Sequence, residues 1–311
     1  MEDSRTVRSS IVSSQIDLHA KYGGVVPEVA ARRHVETIIP VLQEAIDAAG
    51  MGWSDLDAIA VTRGPGLIGS LLVGVTAGKA LALAHSLPII GVNHLEGHIC
   101  ATYLAEPPPE LPAVCLIVSG GHTDLIFVED WGVYKWLGGT LDDAAGETLD
   151  KVARCAGLGY PGGPAIDRLS REGSPTAAAF PRSWLNGRSD FSFSGLKTAA
   201  VRSVQWDHPL SGADLAASLQ AAVVDVLVKK TIDAAIKHGV SQVMVTGGVA
   251  ANSSLRERMG VAAKGEGLAF ATPPLAYCTD NAAMIAVAGS FKLAQQKLDN
   301  LTFDTAASMG L

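Results

Sequence analysis

The sequence predicts an α/β protein built as two lobes. Strand-like runs alternate with helix-like runs along most of the chain, the pattern of α/β domains. Its 311 residues exceed what one small core uses, so two domains or two lobes of one fold are expected. A proline-rich stretch, Pro107-Pro108-Pro109-Glu110-Leu111-Pro112, makes a stiff connector between them. The expected division is a first lobe over 1–106, a second lobe with a helical insertion over 107–297 and a tail over 298–311. The last helix of the second lobe is expected to turn back toward the first. Periodicity alone leaves two readings open: two similar halves around a cleft, or one doubly wound sheet.

Residues 6–15 alternate as a strand would. Residues 27–49 read as a helix, with Pro27 in its first turn and Pro40 marking a kink or break. A short apolar strand over 57–62 runs into the turn Gly64-Pro65-Gly66, and an apolar helix rich in Gly and Ala follows over 67–86. A strand over 87–92 leads into a histidine-bearing helix. After the connector, strand-like segments at 113–119, 123–129 and 133–137 are spaced closely enough to pair antiparallel. Helices are expected over 142–157, 164–173, 213–238, 253–264 and 280–298, with strands at 242–246 and 268–271.

Composition narrows the function. The formal net charge of −7 does not suggest a general nucleic-acid binder, which needs a basic surface, although a local basic patch remains compatible with it. Four scattered cysteines without a CxxC pair read as reduced core thiols of a cytoplasmic protein. No apolar run is expected to reach membrane-spanning length, because Lys79 interrupts the longest one, and the start lacks a secretory signal. Thirty-three glycines fall mostly in short clusters, which points to tight turns around a ligand.

The most informative segment is His94-Leu95-Glu96-Gly97-His98. On a helix, histidines four residues apart stack on one face, close enough to share a metal ion. A peptidase would need His-Glu-x-x-His or its inversion His-x-x-Glu-His, and Glu96 fits neither. Two hydrogen-bonded, partly buried histidines would give the same pattern.

Four glycine loops accompany it. Val118-Ser119-Gly120-Gly121-His122-Thr123 turns between two strands, where paired glycines let backbone N–H groups crowd toward an anion. Tyr160-Pro161-Gly162-Gly163-Pro164 opens a helix that carries Asp167 one turn in. Thr246-Gly247-Gly248-Val249-Ala250-Ala251-Asn252 joins a strand to a helix in phosphate-loop style, without Walker A or dinucleotide spacing. Gly64-Pro65-Gly66-Leu67-Ile68-Gly69 has an apolar interior, so packing outweighs ligand binding there. Each loop alone could be an ordinary turn; together they favour a nucleotide-sized anionic ligand. Asp142 to Lys151 reads as a dense acidic helix start, with Asp150 facing either the ligand or solvent.

Nine segments now stand in order: KYGGVVP at 21–27, GPGLIG at 64–69, HLEGH at 94–98, VSGGHT at 118–123, DDAAGETLDK at 142–151, YPGGP at 160–164, FSFSGLKT at 191–198, TGGVAAN at 246–252 and CTDNAA at 278–283. With them the chain resembles the bacterial tRNA N6-adenosine threonylcarbamoyltransferase family, long labelled a glycoprotein endopeptidase. The resemblance implies an actin-like, two-lobed ATPase fold shared with sugar kinases and Hsp70. It implies a divalent metal held by His94, His98 and Asp280, with iron(II) favoured and zinc chemically reasonable. It implies substrate contacts from Ile117, Val118, Ser119, Gly120, Gly121, Asp150, Gly163, Asp167 and Asn252.

The implied reaction moves a threonylcarbamoyl group from threonylcarbamoyl-AMP to N6 of the adenosine beside the anticodon, in tRNAs that read ANN codons. Implied partners are tRNA, a smaller paralogous subunit and a separate ATPase subunit, with no membrane; ATP is a further implied adenine nucleotide. Family members also open with an apolar strand and a turn reading Glu-Thr-Ser-Cys-Asp, which this sequence lacks before Met1, as a misplaced start would leave it. Three other readings stand beside this one: a catalytically silent scaffold of the same fold, a metallopeptidase, and a small-molecule kinase.

Overall fold

A computed structural model describes residues 1–205 and 209–311. The elements follow in the order α1 (Ile16–Ala20), α2 (Pro27–Ala49), β1 (Ile59–Gly64), α3 (Ile68–His85), β2 (Ile89–Asn93), α4 (His94–Ala101), β3 (Ala113–Val118), β4 (Thr123–Asp130), β5 (Val133–Gly139), α5 (Ala145–Cys155), α6 (Gly162–Leu169), α7 (Ser194–Ser203), α8 (Gly212–His238), β6 (Gln242–Thr246), α9 (Ser253–Gly265), β7 (Ala269–Ala271) and α10 (Ala282–Ala294). Two compact units result. The first takes Met1–Leu104 together with Asp280–Leu311, and the second takes Ala105–Thr279.

In the first unit β1 and β2 pair in parallel, joined by the crossover helix α3. Neighbouring residues of β1 point to opposite faces, and each face receives a helix. Gly78 of α3 sits on Val61, while Gly289 of α10 has Ala60 Cβ only 2.5 Å from where its own Cβ would be. Small residues therefore let both helices approach the sheet backbone. Residues 299–310 line the same unit. Asp299 accepts from Gly91 N–H at 2.8 Å, Ala306 N–H donates to the Arg63 carbonyl at 2.9 Å, and Asn93 Nδ2 donates to the Gly310 carbonyl at 2.9 Å.

Three expectations need correcting here. Residues 6–15 form no strand, because alternation without a hydrogen-bonding neighbour does not make one; Glu2 and Thr6 share an isolated bridge, and 8–15 are irregular. Pro40 does not break α2, which runs unbroken from Pro27 to a left-handed cap at Gly50 (φ 64°). And α3 is, by length and composition, apolar enough to cross a membrane. Its apolar character has a local use in this fold: it lies on β1 and α2, and Lys79 in its middle donates to the Phe303 carbonyl and rests on the Phe303 ring.

The second unit holds a five-stranded sheet in the order β5-β4-β3-β6-β7. The three closely spaced strands are antiparallel as expected, and β6 and β7 add in parallel. Flanked on both sides, β3 is wholly buried, which explains its unbroken apolar run Ala113-Val114-Cys115-Leu116-Ile117-Val118. The long helix α8 starts at a Ser211 cap, ends at Gly239 in the left-handed conformation, and buries Leu215, Leu219, Val223 and Leu227 in the core of this unit. All four cysteines are free, but Cys155 is exposed, so only Cys100, Cys115 and Cys278 are core thiols.

Candidate functional site

In the first unit the chain turns directly from β2 into α4, and Asn93 makes the turn. Its Oδ1 accepts from Leu95 N–H at 2.8 Å, which caps the helix and starts it at His94. His94 and His98 then share one helical face, their rings meeting edge to face at 4.7 Å. A second asparagine, Asn281, caps α10 by accepting from Met284 N–H at 2.9 Å, which leaves Asp280 just ahead of that helix. Asp280 Oδ1 lies 3.2 Å from His98 Nε2 and 3.6 Å from His94 Nε2. The structure thus brings Asp280, distant in sequence, to the His94–His98 pair, with ligand atoms all within 4.8 Å of one another.

The two distances from Asp280 Oδ1 come near those a shared metal requires. Donors sitting about 2.1 Å from one ion at tetrahedral or neighbouring octahedral positions are about 3–3.5 Å apart. Two imidazole nitrogens and one carboxylate oxygen form a borderline-hard set, compatible with iron(II) or zinc and leaving positions open for other ligands. Glu96 is not part of this cluster. Its carboxylate is engaged by Lys292 Nζ at 2.8 Å, so the glutamate a peptidase would use as a base is committed elsewhere.

Three of the four glycine loops lie in the second unit and the Gly64–Gly69 loop in the first, and their glycines divide into two kinds. Gly146, Gly162 and Gly247 are packing glycines: a Cβ at Gly146 would lie 2.5 Å from the Ser119 carbonyl, one at Gly162 would lie 2.7 Å from Asp150 Cα, and one at Gly247 would strike the Val118 carbonyl. Gly120, Gly121 and Gly163 have nothing within 4 Å of that position. The first kind draws the loops onto one another, and the second leaves open space beside the backbone. Gly64 and Gly69 are of the packing kind, against Ala306 and Ala31, as their apolar loop suggested.

The remaining expected site residues sit as follows. Ile117 and Val118 are fully buried at the end of β3, so only their backbone can meet a ligand. Ser119 Oγ accepts from His122 N–H at 3.1 Å and Gly121 N–H at 3.3 Å. Asp150 Oδ1 accepts from Gly162 N–H at 2.7 Å and Gly163 N–H at 3.2 Å, which fixes the start of α6. Burial pushes the Asp150 carboxyl up, against the pull of these two N–H groups. Asp167 Oδ1 accepts from Ser253 Oγ at 2.7 Å, tying α6 to α9. Asn252 caps α9 through Leu255 N–H at 2.9 Å and donates to Gln220 Oε1 at 2.6 Å. Gln220 carries no signal in the sequence.

Asp143 was missed as well. The segment around it reads as a solvated acidic helix start, yet Asp143 is buried. Burial alone would raise its carboxyl, but Lys151 Nζ at 2.6 Å, Lys197 Nζ and Ser194 Oγ at 2.6 Å together hold it well below the usual carboxylate range. Asp142 beside it accepts from Phe193 N–H at 2.8 Å. The FSFSGLKT segment thus serves as the brace that holds the start of α5.

Comparison with known proteins identifies the family and the fold. Residues 6–287 match the model of a family described as tRNA N6-adenosine threonylcarbamoyltransferase. A protein of that name from Symbiobacterium thermophilum is 55% identical over 310 residues, spanning 99% of this chain and 91% of its own length. One from Moorella thermoacetica is 50% identical over 316 residues, covering 100% and 92%. Among solved structures, HypF of T. kodakarensis superposes with a TM-score of 0.64 at 16% identity, over 83% of this chain and 43% of that one. Component A of the (R)-2-hydroxyglutaryl-CoA dehydratase of Acidaminococcus fermentans gives 0.50 at 18% identity, over 83% and 84%. These two likenesses concern the fold, which is that of the actin-like ATPases.

Proposed function

The chain belongs to the tRNA N6-adenosine threonylcarbamoyltransferase family, and from that membership we propose that it carries out the acyl transfer step of threonylcarbamoyladenosine formation in tRNA with a metal at His94, His98 and Asp280. The observation that carries the metal reading is the convergence of Asp280 on the α4 histidine pair.

In the reaction, N6 of the adenosine beside the anticodon attacks the carbamoyl carbon of threonylcarbamoyl-AMP. The new N–C bond forms, the bond from that carbon to the phosphate oxygen breaks, AMP leaves, and N6 gives up a proton. His94 and His98 would offer Nε2 and Asp280 would offer Oδ1 to the metal. When bound, iron(II), or zinc in its place, supplies Lewis acidity and a template for the acyl donor.

The second unit's loops suit the adenylate. The open faces of Gly120, Gly121 and Gly163 admit a flat anionic ligand close to the backbone. Asp150 spends Oδ1 on the α6 start, and its Oδ2 is the acceptor assigned to a ribose hydroxyl or amine. Asn252 and Asp167 stiffen the loop between β6 and α9 through Gln220 and Ser253. With no nucleophilic side chain required, the amine attacks directly.

Partner subunits, a smaller paralogue and a separate ATPase, belong to this reading. Its support is the apolar surface of α2 and α3, where Val35, Ile39, Leu72 and Leu83 are exposed at helical spacing. A cytoplasmic location goes with a tRNA substrate. The test is mass spectrometry of nucleosides from tRNA incubated with the protein, those partners and threonylcarbamoyl-AMP. Threonylcarbamoyladenosine is expected with the intact site and none with His94→Ala. No product from the intact protein, where a relative such as the Moorella enzyme gives product in the same mixture, overturns the assignment.

A further inference from the structure

Glu96 stands between the two histidines without joining them. At about 100° per residue it lies roughly 200° around α4 from each, on the opposite face. There its carboxylate, 8% exposed, meets Lys292 Nζ at 2.8 Å, near the far end of α10. Lys292 Nζ also reaches the Gly91 carbonyl of β2 at 3.4 Å. Between these faces stands Gly97, where an added Cβ would lie 2.7 Å from Ile285 Cδ1 and 3.5 Å from Met284 Cγ. So α10 crosses α4 at Gly97, with its start at the histidine face and Lys292 at the Glu96 face.

We propose that Glu96 and Lys292 are positioning residues of the metal centre: an ion pair with a buried carboxylate and a half-buried ammonium that sets the angle of α10 about Gly97 and so delivers Asp280 to His94 and His98. The side chain of Asp280 is 77% exposed, so packing around it contributes little to its position. Asn281 fixes the start of α10 relative to that helix's own axis only. Packing at Gly97 and Gly289 supplies the pivot of α10, and the contact at Lys292 fixes its far end. Such a pair suits the task, because the buried Glu96 carboxylate is costly to leave without its partner and the pair therefore holds one geometry.

The inference rests on the proposed metal centre, and sign separates it from a through-space charge effect. Removing the positive charge of Lys292 would by charge alone tighten the binding of a cation; as a brace, its loss weakens binding. The full-length protein is titrated anaerobically with cobalt(II), following heat and the visible ligand-field bands. Lys292→Gln and Glu96→Gln are expected to weaken binding about tenfold, within the range outer-shell partners command, and to alter the bands. Lys292→Arg, which keeps the pair, retains wild-type affinity and spectrum. The double variant Glu96→Gln/Lys292→Gln leaves no unpaired buried charge, so it tests the brace where a single variant does not fold, and it too should bind weakly.

Wild-type affinity or tighter binding in Lys292→Gln, with binding abolished in His98→Ala, overturns the brace alone. A wild-type protein that binds no cobalt overturns the metal centre and the brace with it.

Discussion

Asp280 Oδ1 lies 3.2 Å from His98 Nε2, and the two side chains share almost nothing else: His98 is 1% exposed and Asp280 77%. One proposed ligand is built into the wall of α4 and the other reaches in from solvent. An unequal pair of variants should follow. His98→Ala removes a donor that nothing can replace and is expected to abolish stoichiometric iron or zinc binding. Asp280→Ala opens a position that water can fill, with affinity falling roughly 10–100-fold. Anaerobic elemental analysis and calorimetry measure both, and equal losses would contradict the asymmetry.

Adjacent glycines give the nucleotide reading a sharp test. Gly162→Ala must displace Asp150 backbone and should lower stability by about 1–3 kcal/mol. Gly163→Ala meets no protein atom and lies within α6, where alanine should stabilise by about 0.4–1 kcal/mol. If a nucleotide uses that open face, Gly163→Ala nevertheless weakens AMP binding. Calorimetry showing unchanged AMP affinity in Gly163→Ala would remove this loop from the site.

Asp143→Asn should cost about 2 kcal/mol, typical of hydrogen bonds to a charged group, since Lys151 and Lys197 lose their common carboxylate. The folded-state pKa of Asp143 is depressed, so its contribution is fully present above the unfolded value of about 3.9 and is lost as pH falls below that. Denaturant unfolding at a series of pH values should show wild type and variant well separated at pH 7 and converging below about pH 4. A difference that stays constant down to pH 3 would refute the assignment.

Asn93→Ala should destabilise by about 1 kcal/mol through loss of the α4 cap. Asn93→Asp keeps the cap acceptor but forfeits the bond to the Gly310 carbonyl, so its loss should be smaller. Thermal melts of the two variants in the same buffer rank them, and the reverse order would mean that a carboxylate facing the Gly310 carbonyl costs more than the cap contributes.

Most helices and strands could be read from pattern, because apolar periodicity and turn residues act locally. Residues 27–49 announced the extent of α2, though not its passage through Pro40, and the run at 113–119 announced a strand. The His94–His98 pair was legible for the same reason: its geometry is set within one helical turn. Asp280 was not, since only the fold brings α10 to α4; likeness to a family supplied it. Lys292 and Gln220 gave no signal, as a lysine or glutamine in a helix looks the same whether it faces water or a buried partner. Residues 6–15 misled because a strand is a relation between two segments, and alternation describes only one. Asp143 misled because neighbouring acids suggest solvent, while its counter-charges come from Lys151 on α5 and Lys197 on α7.

The interrupted make-up of the first unit also orders events at the ribosome. The second unit is one continuous stretch, Ala105–Thr279, and can fold as soon as it emerges. The first unit cannot close at that stage: α10, the Asp299 contact with Gly91 and the Gly310 contact with Asn93 all come from residues translated afterwards. His94 and His98 are therefore synthesised early and wait for Asp280. A nascent chain displays two histidines without their carboxylate, and on the proposed metal reading loading becomes a post-translational event that only a nearly finished polypeptide can undergo.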